Sequence, residues 1–257
     1  MTELAIIAGH LDALLGTTTI PDYAGALNGV QLANQGSITR VAASVDISRR
    51  IVDAVVRADA NLLIVHHGMF WGGAQPITGA AYDRLRVLIA HDVAVYASHL
   101  PLDAHPTLGN NVLLAKTLGL EPTGGFARYK TVDVGVRGET DVATRDLHDR
   151  ADAFAQLHGG RARATRIPAD RRTRRWGICS GAGASTDTLL EALTLGLDTL
   201  IVGEGPHHTA VAADDAGLVV IYAGHYATET LGVRAVAEHL TATYGIPSTF
   251  IGAPTGL

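Results

Sequence analysis

The stretches "ISRRIVDAVVRADANLLIVHHG" (residues 47–68) and "ASTDTLLEALTLGLDTLIVGEGPHH" (residues 184–208) carry one pattern twice. In each, a serine precedes apolar residues at helical spacing, a turn follows, and a short apolar run ends in polar residues. A serine in that position caps a helix, because its hydroxyl accepts from a backbone N–H of the first turn. Ile51, Val52, Val55 and Val56 then fall on one helical face. The run "NLLIVHH" (61–67) is short and β-branched, which reads as a strand buried on both faces.

The matching continues downstream. "AAYDRLRVLIAHDVAVYASHLPLD" (80–103) and "HHTAVAADDAGLVVIYAGHYATE" (207–229) repeat a helix, an apolar strand and a polar strand end in the same order. Upstream, "ITRVAASVD" (38–46) reads as a strand; "NNVLLAKTLG" (110–119) reads as a helix capped by Asn110 or Asn111 and stopped by Gly119. Strands alternating with helices imply right-handed crossovers. The expected fold class is therefore α/β, with duplicated α/β halves and largely parallel sheets flanked by helices. The halves are placed at residues 1–125 and 126–257, linked through about residues 121–170, with the last helix packing back on the first half.

The chain has 257 residues, 47% of them hydrophobic, enough for a large buried core. Its apolar runs are far shorter than the roughly 20 residues that span a bilayer, and no basic segment precedes the first of them. Cys179 is the single cysteine, so neither an internal disulfide nor a thiolate cluster can form. A soluble, cytoplasmic protein is expected, with no membrane partner. The net charge of -5 does not favour nucleic acid, although a locally basic lining would permit it. "RRTRR" (171–175) reads as a solvated loop entering a strand, and "SGAGAST" (180–186) as a tight strand-to-helix turn, since it lacks the Lys-Ser/Thr ending of a nucleotide-binding loop.

Histidine is the informative excess, at 12 residues. His66 and His67 end one strand, His99 follows the next, His207 and His208 follow a third, and His225 follows a fourth. Ligands of open α/β sheets bind beside such carboxyl ends, so four converging ends would build one site from both halves. Neighbouring strand residues point to opposite faces, so His66 and His67 can share a site only if the chain leaves the extended form, which Gly68 permits. In "SHLPLDAHPTLGNN" (98–111), Pro101 stiffens the loop that carries Asp103, a carboxylate able to bridge two cations. His105 reads as a supporting or substrate-facing residue. His225 and Glu229, four apart, share one face if a helix has begun. Glu204 and His208 are candidates for proton transfer or substrate contact, while Arg128 and Lys130 read as a solvated strand edge, with contact to an anionic substrate as the alternative. Imidazoles and carboxylates without thiolates suit Zn, Fe or Mn. Five strong donors exceed what one tetrahedral zinc uses, which favours a pair of divalent metal ions.

"VHHGMFW", "SHLPLDAHPTLGNN", "GEGPHHTA" and "GHYATETLG", in that order, resemble the GTP cyclohydrolase I type 2 homologues, also called Nif-three-like proteins, and "LNGVQLA" (27–33) is similar to the N-terminal signature of that family. The resemblance implies a dinuclear metal centre, a duplicated α/β fold and a homohexameric ring. It implies His66, His67, Asp103, His225 and Glu229 as metal ligands, with His99 beside them. The expected function is a metal-dependent hydrolase of a small polar, nucleotide-like heterocyclic substrate, with His99 or His208 moving the proton. The rival expectation is a non-catalytic metal-binding ring or a scaffold for protein or nucleic-acid partners.

Overall fold

The computed structural model describes residues 2–256. Two compact units divide the chain: the first runs to Leu102 and resumes over Gly232–Ala253, and the second comprises Asp103–Leu231 and the residues from Pro254 onward. Among the described residues no helix is long and apolar enough to cross a membrane.

The first unit is built on a five-stranded sheet in the order Ser248–Phe250, Val41–Asp46, Leu62–His67, Ala94–Ala97, Gly29–Leu32. The first three pairings are parallel and the last is antiparallel. Helices Arg49–Arg57 and Gly79–Ala90 connect the parallel strands. Val52, Val55, Leu63, Val65, Leu88 and Val95 interlock in one core cluster, which explains why the strands read as unbroken apolar runs. Fully burying each such side chain is worth about 1.5–3 kcal/mol.

The second unit has a six-stranded sheet in the order Gly124–Tyr129, Val132–Ala143, Arg172–Cys179, Thr199–Val202, Val219–Tyr222, Arg163–Ala164. Its three strands Arg172–Cys179, Thr199–Val202 and Val219–Tyr222 are parallel, and its remaining pairings are antiparallel. Trp176, Ile178, Ile201 and Ile221 fill its core with Leu114, Leu147 and Phe154 from the covering helices. The duplicated segment is visible at the level of single bonds. Ser48 accepts from the Ile51 N–H at 3.4 Å and Ser185 from the Thr188 N–H at 3.1 Å, each opening a nine-residue helix.

Several local expectations are corrected. Residues 121–170 are not a bare link: they supply the antiparallel hairpin and the helix Thr144–Leu157 of the second unit. The "SHLPLD" loop contains one helical turn, Leu100–Asp103, where a proline near the start removes only an N–H that lacks an intrahelical acceptor anyway. Gly109, not an asparagine, takes the cap position of helix Asn110–Thr117, so both asparagine side chains are released for tertiary bonds. The arginine run lies in the strand Arg172–Cys179 and at its entrance: Arg171 donates to the Asp198 and Gly217 carbonyls, Arg172 pairs with Asp141, and the Arg174 and Arg175 N–H groups donate to Asp198.

Candidate metal centre

In the first unit, His66, His67 and His99 offer ring nitrogens that all lie within 4.8 Å of one another. His66 and His67 remain in the strand, which pairs as far as Asp46↔His67, so the expected departure from the extended form does not occur; the rings still gather at the strand's end, with centroids 4.9 Å apart. Each ring is anchored through Nδ1: His66 to the Ser98 carbonyl at 2.9 Å, His67 to Asp46 at 2.9 Å, and His99 to Asp22 at 2.9 Å. A carbonyl only accepts, so His66 carries its proton on Nδ1 and presents a lone pair on Nε2. An acceptor on one imidazole nitrogen sets the tautomer and aims the other nitrogen at a cation, the usual arrangement of metal-binding histidines.

The residues that hold this trio come from the N-terminal signature and the loop before it. Asn28 accepts from the His99 N–H at 2.7 Å and donates to Asp22 at 2.8 Å, while the Leu100 N–H donates to Asp22 at 2.9 Å. Burial opposes ionisation of Asp22, but hydrogen bonding and charge from His99, then the bonds from Asn28 and the Tyr23 N–H, hold its carboxyl below the usual range. Gln31 accepts from the Met69 N–H at 2.7 Å and fills the space where a side chain at Gly68 would sit. "LNGVQLA" therefore braces the "HHGM" turn, a role the sequence reading did not assign.

In the second unit, Asp103, His225 and Glu229 gather about the turn after the strand Arg172–Cys179. Asp103 accepts from the Asn110 amide at 2.8 Å and the Ser180 hydroxyl at 3.2 Å; Asn111 accepts from the Ser180 N–H at 2.7 Å and donates to the Val134 carbonyl at 2.7 Å. Gly181, at φ +60°, leaves room for Glu229: a Cβ there would stand 2.1 Å from Glu229 Oε1 and 3.4 Å from His225 Nε2. A helical turn does begin at His225, and its Nε2 lies 3.2 Å from Glu229 Oε2. His225 Nδ1 lies 2.7 Å from Glu204 Oε1. Burial would lower the His225 pKa, but hydrogen bonding and charge from Glu229, followed by Glu204, raise it to about 9. Burial, then the charges of Asp103, Glu229 and Glu191, pushes the Cys179 thiol up to about 12, which makes it a poor nucleophile.

Other candidates separate from these clusters. His208 is exposed in the first turn of helix His207–Asp215, and no hydrogen bond among the described residues ties it to His225 or Glu204. His105 accepts from the Leu108 N–H at 3.0 Å, shaping its own turn. Arg128 is paired with Asp133 at 2.8 Å, and Lys130 lies over the Tyr129 ring. Asp22, Asn28, Asp46, Asn110 and Ser180 were missed by sequence reasoning. The signal available for Asp22 and Asp46 was indirect: a buried imidazole that binds through one nitrogen needs an acceptor at the other.

Duplicated α/β units whose strand ends carry anchored imidazoles and buried carboxylates define a protein with a His and carboxylate set able to hold metal. Comparison with known proteins narrows this. The profile of the DUF34/NIF3 family (NGG1p interacting factor 3) matches residues 5–253, and the chain belongs to that family. A Deinococcus radiodurans relative named GTP cyclohydrolase 1 type 2 homolog is 40% identical over 238 residues, covering 90% of this chain and 87% of the relative. A Pyrococcus abyssi relative of the same name is 35% identical and covers 98% of both chains. Among solved structures, protein ybgI, described as of unknown function, superposes with a TM-score of 0.90 at 32% identity over all of both chains. The Thermus thermophilus protein TTHA1606 gives 0.86 at 34% identity, also over all of both chains.

Proposed function

We propose that the protein is a metal-dependent hydrolase in which His66, His67, Asp103, His225 and Glu229 hold two divalent cations drawn from Zn, Fe and Mn. The observation that carries the reading is the anchoring of four histidines through Nδ1, by a backbone carbonyl or a carboxylate, which commits Nε2 of each to a cation or a proton. The donor chemistry fits: imidazoles and carboxylates with no thiolate suit borderline divalent ions. When bound, the cations would supply Lewis acidity and lower the pKa of a water molecule.

The chain's own residues do the remainder. Asn110 and Ser180 fix the Asp103 carboxylate, and Glu204 fixes the His225 ring. His99, held by Asp22 and left outside the five ligands, is the group that accepts and returns the proton at its Nε2. The relatives' shared name, GTP cyclohydrolase 1 type 2 homolog, supports hydrolysis of a nucleotide-like heterocycle as the reaction class. A screen of nucleotides, cyclic amides and phosphate esters, with and without chelator, tests the proposal. Turnover that disappears with chelator and returns with metal is expected, and His99→Gln is expected to lower kcat about 10²–10⁴-fold with metal content unchanged. Full turnover in metal-free protein would refute the reading.

A further inference from the structure

A cavity of about 300 Å³ opens in the second unit beside the carboxyl ends of strands Thr199–Val202 and Val219–Tyr222. Arg161, Arg163, His207 and Tyr222 line it with side chains that can donate hydrogen bonds, together with Gly203, Gly205 and Gly224. Glu204 is the one carboxylate in this lining, and one of its oxygens already meets His225 Nδ1 at 2.7 Å. Arg163 sits on the edge strand directly opposite Tyr222, so its position is set by sheet register rather than by a loose loop. Arg161 Nε lies 3.3 Å from Asp152, an ion pair that takes one of the five N–H groups of the guanidinium.

We infer that this cavity binds the phosphate group of a small-molecule substrate, with Arg161 and Arg163 as its principal contacts. The planar guanidinium fork matches two phosphate oxygens at once, and two such forks around a small cavity select a compact dianion. The position suits a ligand of an open α/β sheet, next to strand carboxyl ends. Through Glu204 the cavity is one hydrogen bond from His225, so a phosphate seated here would bring the attached part of the molecule toward the proposed metal ligands. The inference builds on the proposed function in that last step alone. Arg128 and Lys130, the alternative anion contacts in the sequence, are engaged with Asp133 and Tyr129, in keeping with the solvated strand edge expected of them.

Calorimetric titration tests it with inorganic phosphate, glycerol phosphate and succinate as probes, on the protein as purified and after chelator treatment. Chelator-treated protein isolates the cavity from any phosphate held by metal. Phosphate and glycerol phosphate are expected to bind in both forms and succinate to bind more weakly. Arg161→Gln combined with Arg163→Gln is expected to weaken phosphate about tenfold or more, with metal content unchanged. Arg128→Gln, an exposed arginine away from the cavity, is expected to leave binding as it was. Equal phosphate affinity in the double variant and the parent would overturn the inference, as would succinate binding more tightly than phosphate. Loss of metal binding in Asp103→Asn with phosphate affinity retained would leave this inference standing. Failure of the phosphate titration with metal stoichiometry intact would overturn it and spare the hydrolase reading.

Discussion

The two units share a scaffold and differ in what they hang on it. Both set parallel strands, four in the first unit and three in the second, beside a serine-capped helix, and both put their chemistry at strand carboxyl ends. The first unit presents imidazoles, which cost little to bury when neutral and are already satisfied at Nδ1. The second presents Asp103 and Glu229, carboxylates only 7% and 3% exposed. Burying negative charge is expensive without a compensating cation, because the lost hydration is recovered only by close pairing. The duplicated frame thus carries imidazoles fixed at Nδ1 in one unit and, in the other, two buried carboxylates, of which Glu229 lies 3.2 Å from the His225 ring.

The most disruptive way to break this contrast is Gly181→Val. Its φ of +60° disfavours a β-branched residue, and the new side chain would occupy the place of the Glu229 carboxylate. The expected result is loss of folded protein or, where it folds, loss of metal; elemental analysis and circular dichroism of the purified variant check this. Asp103→Asn and Asp22→Asn sharpen the contrast next. The first removes a proposed ligand and should empty the site while the fold survives. The second leaves the proposed ligands in place but alters the acceptor at His99 Nδ1, so it should retain metal and lower turnover about tenfold or more. Equal metal loss in both variants would contradict the division of roles.

Metal removal separates the units more gently. A ligand at 100 to 1,000 times its Kd stabilises the folded state by roughly 2.7–4.1 kcal/mol. Chelation should therefore speed amide hydrogen exchange, and more in the turn at Ser180–Gly181 than in the strand Leu62–His67, where backbone pairing and Nδ1 anchors persist without metal. The smallest effect tests the shared frame. Ser48→Ala and Ser185→Ala should each cost about 1 kcal/mol in chemical denaturation, because each removes the same N-cap acceptor. A large inequality between them would show that the repeated caps are not equivalent.

The scaffold was legible in the sequence because it rests on periodicity: Ile51, Val52 and Val55 at helical spacing, and apolar runs such as residues 62–65 too short for anything but a buried strand. The donors were legible for a different reason, since His66, His67, Asp103, His225 and Glu229 stand at the polar ends of those runs. What escaped was orientation. Asp22 and Asn28 act on His99 across more than 70 residues of chain, and no local pattern marks such a partner. Asn110 and Asn111 were read as helix caps because asparagine favours that position. The helix begins at Asn110 itself, with Gly109 as the cap, which places both side chains inside its first turn and directs them to Asp103 and Ser180. The role of residues 121–170 escaped as well, because an antiparallel hairpin attached to a parallel core carries no signature of the repeat.

The central claim of the proposed function is that His66, His67, Asp103, His225 and Glu229 serve a pair of cations. Its most direct test is the metal stoichiometry of freshly purified protein, measured beside Asp103→Asn and His67→Gln. The account predicts about two divalent ions per chain in the parent and a clear loss in both variants. A parent that binds no divalent ion, or a stoichiometry that neither substitution changes, would contradict it.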